Sequence, residues 1–230
     1  ILINEEKSMT PVFSIIIPSY KSDKFIKQCI SSVLHQTFDS FEIIIIDDGS
    51  PDQTGKICLR IAAEYPHVRY IYQEHQGAGA ARNKGLRVAN GEYVLFLDAD
   101  DYWVNKDLLK ELYNCFKNQN VDLVMFQMDK YTEKGRLLKR YRKKAFPDTK
   151  LCHCVHEIYP ILVRDGQVLA SACNKCVKRS LLEEEYILFP EGGYAEDIDW
   201  VIQLFSRAKY ISFLNGLAYA YRQHGNSTAV

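Results

Sequence analysis

The chain lacks an excess of either charge. Its 230 residues carry 29 lysines and arginines and 29 aspartates and glutamates, so the formal net charge at pH 7 is zero. A protein without a net field does not attract polyanions over its whole surface, which disfavours nucleic-acid binding and requires any nucleotide to be held by local groups. Long hydrophobic runs are also absent, because the longest ones are only strand-sized. We therefore expect a soluble globular protein without a transmembrane helix.

Features of secreted proteins are missing as well. Residues 1–10 contain acidic side chains and lack the basic start and apolar core of a secretory signal. The cysteines are seven, an odd number spread along the chain, which is more typical of reduced thiols than of a disulfide framework. Together these absences predict a cytoplasmic location. The basic stretch Lys139 to Lys144 adds the hypothesis of a peripheral contact with anionic lipid at the inner face of the membrane, although a solvated hairpin edge explains it equally well.

What the chain does contain is an alternation of strand-like and helix-like segments. Four apolar runs have the length of buried strands and are separated by helix-periodic segments: Val12 to Ile17, Phe41 to Ile46, Val68 to Tyr72 and Tyr93 to Leu97. This order predicts an α/β fold with a parallel sheet and right-handed crossovers. Ligands of such sheets bind beyond the carboxyl ends of the strands. We therefore expect Ser19-Tyr20, Asp47-Asp48 and Asp98 to Asp100 to line one crevice.

An acidic cluster directly follows the fourth strand. Asp98, Asp100 and Asp101 stand after Tyr93 to Leu97, and the alternation of an extended backbone puts Asp98 and Asp100 on one side. Carboxylates this close repel one another unless a cation, hydrogen bonds or solvent relieve them. Because a site built from oxygen ligands suits Mg²⁺ or Mn²⁺, the cluster predicts a divalent metal site.

The second half of the sequence is less regular. Its patterns predict helices at Lys106 to Lys117, Cys154 to Val163 and Ala195 to Arg207, strands at Val121 to Phe126, Tyr210 to Leu214 and Leu217 to Arg222, and a hairpin at Tyr131 to Lys144. Neither an internal repeat nor a low-complexity linker divides the chain. We therefore predict a single domain over 1–230, in which 11–101 form a nucleotide half and 102–230 an acceptor half.

Five motifs in order resemble those of glycosyltransferase family 2: Ser14 to Tyr20, Asp47 to Asp52, Asn83-Lys84-Gly85, Gly91 to Asp101 and Glu196-Asp197. The resemblance implies the GT-A fold, a Rossmann-like and mostly parallel sheet flanked by helices. It also implies a nucleotide-sugar donor and, within the family, a bacterial surface-polysaccharide type of enzyme.

The resemblance assigns roles on the donor side of the site. It implies that Asp48 hydrogen-bonds the nucleobase, that Asp98 contacts the ribose and that Asp100 binds the metal. Pro18 and Tyr20 would line the base pocket.

The glycine-rich segment Gly77 to Arg82 invites a dinucleotide-binding interpretation. Its third glycine is absent and it follows the third strand, so a dehydrogenase is disfavoured. Arg82 is then available to bind the donor.

On the acceptor side, the resemblance implies that Asp197 is the general base that takes the proton of the attacking hydroxyl. Glu196 would lie beside it, and Asn174-Lys175 would lie near the acceptor or support the site. His224 resembles a late position that contacts the metal or the diphosphate. Simpler explanations exist: acids favour helix N-termini, and a lone histidine is often structural.

These inferences predict an inverting hexosyl- or N-acetylhexosaminyltransferase that uses Mn²⁺ or Mg²⁺ and moves a sugar from UDP to a hydroxyl of a glycan or lipid-linked acceptor. One alternative is a nucleotidyl or phosphoryl transferase that uses the acidic cluster for Mg²⁺, although the lack of a glycine-rich loop with Lys-Ser/Thr counts against a P-loop kinase. Another is a non-catalytic module that binds a nucleotide sugar.

Overall fold

The first half of the chain alternates strands and helices in the predicted order. A computed structural model describes residues 10–140, 145–192 and 195–224. Its first elements are β1 (Phe13–Ser19), α1 (Ile26–Leu34), β2 (Phe41–Asp48), α2 (Thr54–Glu64), β3 (Val68–Gln73), α3 (Ala78–Val88) and β4 (Tyr93–Phe96). Strand β1 pairs in parallel with β2 and β4, and β2 pairs in parallel with β3. All residues of β1, β2 and β4 are buried, as expected for strands covered on both faces. The predicted parallel sheet is confirmed.

The second half adds shorter and mixed elements to the same sheet. They are β5 (Tyr102–Trp103), α4 (Leu108–Asn118), β6 (Leu123–Thr132), β7 (Leu137–Arg140), β8 (His153–Cys154), α5 (Val155–Arg164), a 3₁₀ turn (Ala172–Asn174), β9 (Lys175–Lys178), α6 (Arg179–Glu184), α7 (Glu196–Arg207) and β10 (Tyr210–Gln223). The strand order is β3-β2-β1-β4-β9-β6-β10-β5, with β7 beside β6 and β8 beside β10. Strand β9 runs antiparallel to both β4 and β6 and so joins the two halves.

The prediction of two strands at the end of the chain is wrong. Tyr210–Gln223 forms one strand that pairs in parallel with β6, with one register shift between Phe213 and Leu217 and another between Leu217 and Tyr219. The Asn215-Gly216 pair between Phe213 and Leu217 makes a bulge and not a hairpin turn. The Asn215 side chain accepts hydrogen bonds from the Gln127 amide at 3.1 Å and the Phe146 N–H at 2.9 Å, which hold the bulge in place.

The predicted basic hairpin is present where the structure describes it. Strands β6 and β7 are antiparallel, and the turn between them includes Gly135, whose φ of 80° suits glycine. Residues 141–144 and the side chains of Lys139 and Arg140 lie outside the described part, so the lipid contact stays a prediction. Within the described ranges, each helix is too short or too polar to cross a membrane.

Candidate active site

A cleft of about 690 Å³ opens beyond the carboxyl ends of β1, β2 and β4. Its volume suits a small molecule or cofactor. Its lining includes Pro18, Tyr20, Asp48, His75, Arg82, Asp98, Asp100, Glu133, Glu196 and His224. The expected convergence holds for Ser19, Tyr20, Asp48, Asp98 and Asp100, whereas Asp47 is not in the lining and bonds the Tyr70 hydroxyl and the Ser50 N–H. Of the eleven candidate site residues from the sequence, eight lie in this lining. The other three, Asp197, Asn174 and Lys175, are not part of it.

Asp48 at the end of β2 is buried, with 3% of its side chain exposed. One carboxylate oxygen accepts from the Gln73 amide at 2.7 Å and the Gln76 N–H at 2.8 Å. The other accepts from the Gly77 N–H at 2.8 Å and lies 2.8 Å from His75 Nδ1. A carboxylate has about four acceptor positions, and these four contacts use them. Asp48 thus shapes the loop between β3 and α3, and a bond to a nucleobase, which stays a prediction, requires the exchange of one contact.

His75 forms part of the site, although the sequence pattern did not indicate it. Its ring stacks on Tyr20, with 4.2 Å between the ring centroids and 23° between the planes. Pro18 and Lys21 lie in the same part of the lining, and the Lys21 ammonium is 4.9 Å from the Tyr20 ring centroid. The stack forms a flat apolar surface with polar edges, which is suited to a heteroaromatic ring. The only feature of the sequence that could have indicated His75 is its position in the short loop before Gly77.

Arg82, in the first turns of α3, connects three carboxylates. Its Nη2 donates to Asp98 Oδ1 at 2.9 Å, and its Nη1 donates to Glu196 Oε1 at 2.9 Å and lies 3.2 Å from Asp197 Oδ1. Only 5% of the Arg82 side chain is exposed. Burial by itself would lower the pKa of Arg82, but the charges of Asp197 and Asp98 outweigh it and hold the pKa well above its usual value. The guanidinium therefore stays charged.

Asp100 and His224 meet at the other side of the cleft. His224 Nε2 lies 2.8 Å from Asp100 Oδ2, and its ring packs against Phe25 at 4.9 Å between centroids. Burial and the neighbouring negative charge of Asp98 raise the pKa of Asp100, opposed by the hydrogen bond from His224. A cation here would relieve that repulsion, so the local charge fits a divalent metal.

The donor atoms also fit such a metal. Carboxylate oxygen and imidazole nitrogen suit Mn²⁺, and Mg²⁺ is commonly held by one or two carboxylates with phosphates and water. Within residues 10–140, 145–192 and 195–224, histidine, cysteine and acidic side chains form no metal-holding group of three or more. The chain would thus supply Asp100 and His224 and leave the other positions to a ligand.

Asp101 has a different role from its two neighbours. It is fully buried, and it accepts from the Tyr219 hydroxyl and from the Arg222 N–H, each at 2.6 Å. These bonds tie β10 to the loop after β4, while Asp98 and Asp100 line the cleft. The sequence cluster of three carboxylates thus divides into two that face the cleft and one that is structural.

Asp197 lies in the first turn of α7, beside the cleft. Burial raises its pKa, the charge of Arg82 opposes this rise and the charge of Asp98 adds to it. Its Oδ2 accepts from the Ala172 N–H at 3.2 Å. The preceding Ala195 has a φ of 63°, an uncommon backbone conformation for alanine that turns the chain into the helix. A partly exposed carboxylate with a raised pKa is able to take up a proton.

Lys175 and Asn174 support this region from behind. Lys175 is fully buried, and its ammonium donates to the Leu169 carbonyl at 3.0 Å, the Ser171 carbonyl at 2.6 Å and Asn174 Oδ1 at 2.7 Å. Burial lowers the pKa of Lys175 to about 7, against the opposing charge of Asp197. The geometry favours a supporting role for the pair, because neither residue lines the cleft.

Comparisons with known proteins agree with this arrangement. Residues 14–188 match the model of Glycosyl transferase family 2. Putative glycosyltransferase EpsH of Bacillus subtilis is 29% identical over 223 residues, covering 95% of this chain and 62% of EpsH. Glycosyltransferase GlyG of Streptococcus pneumoniae is 30% identical over 225 residues, covering 95% of this chain and 73% of GlyG.

Solved structures give the same result. The crystal structure of S. aureus TarS 1-349 in complex with UDP-GlcNAc matches with a TM-score of 0.74 at 27% identity, covering 95% of this chain and 61% of that one. The chain thus spans about three fifths of the length of EpsH and of this TarS structure. The family match includes most of the chain, with the parallel sheet and the residues around the cleft up to Leu188. The chain therefore belongs to glycosyltransferase family 2 and has the GT-A fold.

Proposed function

We propose that this chain is the catalytic domain of an inverting, metal-dependent glycosyltransferase. It would move a hexosyl or N-acetylhexosaminyl group from UDP to a hydroxyl of a glycan or lipid-linked acceptor in surface-polysaccharide assembly. One observation carries the proposal: Asp98 and Asp100 from the first half of the chain line a single cleft of suitable size together with Glu196 and His224 from the second half, and Asp197 lies next to it, 3.2 Å from Arg82. EpsH and GlyG are described as glycosyltransferases, and TarS was solved with UDP-GlcNAc, which supports UDP as the donor nucleotide.

The donor would occupy the cleft between residues 11–101 and the end of β10. Pro18, Tyr20 and His75 provide the surface on which the nucleobase packs, and Asp48 holds the loop that carries His75. Asp98 keeps 30% of its side chain exposed beside the cleft, so it is available for a ribose hydroxyl. Residues 102–230 would provide the acceptor side.

Asp100 and His224 would hold Mn²⁺ or Mg²⁺. When bound, such a cation neutralises the diphosphate as the bond between sugar and phosphate breaks. Without it, Asp98 and Asp100 would repel the diphosphate, because both carboxylates line the cleft.

Asp197 would act as the general base. In a displacement with inversion, the acceptor hydroxyl attacks the anomeric carbon from the side opposite the diphosphate, and a carboxylate on that side takes its proton. Asp197 is buried enough to have a raised pKa and is still 20% exposed at the side chain, so it is able to receive a proton from a bound hydroxyl.

Asp197→Asn tests this assignment. The substitution should leave UDP binding with Mn²⁺ nearly unchanged, measured by calorimetry. It should lower the rate of UDP release from UDP-GlcNAc, with alkyl glycosides or water as acceptors, by at least ~10²-fold.

Asp199→Asn is the matched control, because Asp199 is an exposed acid in the same helical turn and should tolerate the change. Unchanged turnover in Asp197→Asn would refute the base assignment.

The reaction products distinguish between the enzyme classes: a sugar transferase releases UDP, whereas a nucleotidyl transferase releases pyrophosphate. Binding of UDP without metal-stimulated turnover of UDP-, GDP- or TDP-sugars would point to a non-catalytic module.

A further inference from the structure

We infer that Arg82 is a positioning residue for Asp197 and not a ligand of the donor diphosphate. This inference deepens the proposed function, because it rests on Asp197 as the base. It revises the role that the sequence implied for Arg82, and it rests on how the guanidinium is placed.

The terminal nitrogens of the Arg82 guanidinium are already paired with carboxylates. Nη1 donates to Glu196 at 2.9 Å and forms an ion pair with Asp197 Oδ1 at 3.2 Å, and Nη2 donates to Asp98 at 2.9 Å. Nε is buried and has no hydrogen-bond partner within the described part of the chain. The guanidinium carbon also lies 5.2 Å from the ring centroid of Phe189. A phosphate that approached Nη1 or Nη2 would therefore compete with a carboxylate that is already paired there.

The net charge around Arg82 is negative. One guanidinium with three ionised carboxylates gives a local charge of minus two, from plus one and minus three. This environment repels a diphosphate, because the three negative charges of Asp98, Glu196 and Asp197 exceed the one positive charge of Arg82. A cation so placed favours the ionised form of each carboxylate, which is the form that a general base needs.

Arg82 also contributes to the orientation of the Asp197 carboxylate. Asp197 is held on two sides, with Oδ1 beside Arg82 of α3 and Oδ2 bonded to the Ala172 N–H. The carboxylate is thereby fixed in the first turn of α7 before an acceptor arrives. Burial raises the pKa of Asp197, and Arg82 is the cation that most strongly opposes this rise. The other titratable groups around this pair are Asp98, Glu196, Cys173 and Lys175.

Substitutions of Arg82 separate positioning from donor binding. In Arg82→Met, the affinity for UDP with Mn²⁺ should change by less than about threefold. The kcat for UDP release should fall roughly 10²-fold, because the base loses its orientation. The acid limb of the pH profile of kcat should move to higher pH by about one unit, since Asp197 loses its counter-charge. In Arg82→Lys the charge remains, so the acid limb should return towards its original pH while kcat stays reduced.

Lys84→Met is the control, because Lys84 lies on the same helix and donates to the Tyr72 carbonyl outside the cleft. It should change neither the affinity nor the pH profile. A loss of UDP affinity of about tenfold or more in Arg82→Met, with an unmoved acid limb, would overturn the inference and assign Arg82 to the donor.

A second measurement does not depend on turnover. In a double-mutant cycle on the free energy of unfolding, Arg82→Met should cost less stability when Asp197 is already Asn, because one carboxylate that needs neutralising is gone. Additive effects would contradict the positioning contact. If the protein turns over none of the donor sugars tested, the proposed function fails, and this cycle still decides whether Arg82 holds Asp197.

Discussion

At the scale of single residues, burial decides what the charged side chains of this protein do. Lys175 is the clearest case. It carries an ammonium with three donors into the interior, and three oxygen acceptors meet it there. Two of them are carbonyls of Leu169 and Ser171, and Ser171 directly precedes the Ala172 N–H that bonds Asp197. Lys175 therefore fixes the backbone that orients the proposed base.

A pH dependence of stability follows from the pKa of Lys175. Burial lowers it to about 7 from an ordinary value of 10.5, so between these values the unfolded chain binds more protons than the folded chain. The contribution of Lys175 to stability should therefore increase as the pH rises from 7. The difference in unfolding free energy between the unsubstituted protein and Lys175→Met should increase by about 2 kcal/mol between pH 7 and pH 9.

Urea unfolding at pH 7, 8 and 9 measures this difference. Taking the difference between two variants cancels the other groups that titrate in this range. Lys178→Met is the matched control on the same strand, since Lys178 is only partly buried and donates to Asn120 at the surface. A difference for Lys175→Met that stays constant with pH would contradict the prediction.

At the scale of elements, α3 bridges the two halves of the chain. Asn83 donates to the Phe189 carbonyl at 2.8 Å and accepts from the Phe189 N–H at 2.9 Å, which fixes the segment before α7. Gly79 allows that segment to come close, because a Cβ there would lie 2.7 Å from the Pro190 carbonyl. Gly79 in the glycine-rich segment thus allows close packing against the Phe189 segment, which explains a glycine there without a dinucleotide.

Gly85 is the position at which α3 packs closely on Ile16 of β1. A Cβ at Gly85 would lie 2.3 Å from Ile16 Cγ2, closer than real contacts allow, so Gly85→Ala should destabilise the protein by roughly 1–3 kcal/mol. Ile16→Ala removes the clashing methyl group. In the double variant the added methyl group partly fills the cavity that Ile16→Ala creates, so the two effects should be less than additive.

Denaturant unfolding of the single and double variants measures this coupling. Gly216→Ala is the control, since a Cβ there meets nothing within 4 Å, and its effect should stay within about 0.5 kcal/mol. Additive losses in the double variant would mean that Ile16 and Gly85 do not limit each other.

At the scale of the whole molecule, the cleft is assembled from both halves of the chain. Tyr20 and Asp100 come from the first half, and Glu196 and His224 come from the second. A ligand bound here contacts both halves and should therefore stabilise the folded protein as a whole.

Thermal unfolding with UDP and Mn²⁺ tests this expectation. Ligand at 100 times its Kd adds about 2.7 kcal/mol, which corresponds to an increase in Tm of roughly 5–10 °C for a chain of this size. Chelation with EDTA should remove most of the shift. Asp100→Asn should do the same, because it weakens the proposed metal ligand, whereas Glu64→Gln, at an exposed position of α2, should not. An equal shift with and without divalent cations would contradict the metal dependence.

Prediction from sequence succeeded where the pattern is local. Strands β1, β2 and β4 contain continuous apolar runs and are buried on both faces, so the run itself indicates the strand, whereas β3 is shorter in its apolar run and only partly buried. It failed for β9, which has only four residues and carries Lys175 and Lys178 at its ends. A lysine in a central strand looks unfavourable until its three acceptors are known. The prediction also divided β10 at Asn215. The sequence there resembles a turn, but in the structure this segment forms a bulge within one strand.

The sequence by itself determined the alternation of strands and helices, the family motifs and the presence of carboxylates at the end of β2 and after β4, because these depend on short-range patterns of apolar and polar residues. The tertiary structure alone decided which of those groups face the cleft. Arg82 and Glu196 are 114 positions apart, and only the sheet order and the packing of α7 bring them to 2.9 Å. The same packing turns Asp101 into the protein and leaves Asp100 beside the cleft, a distinction set by distant partners on β10.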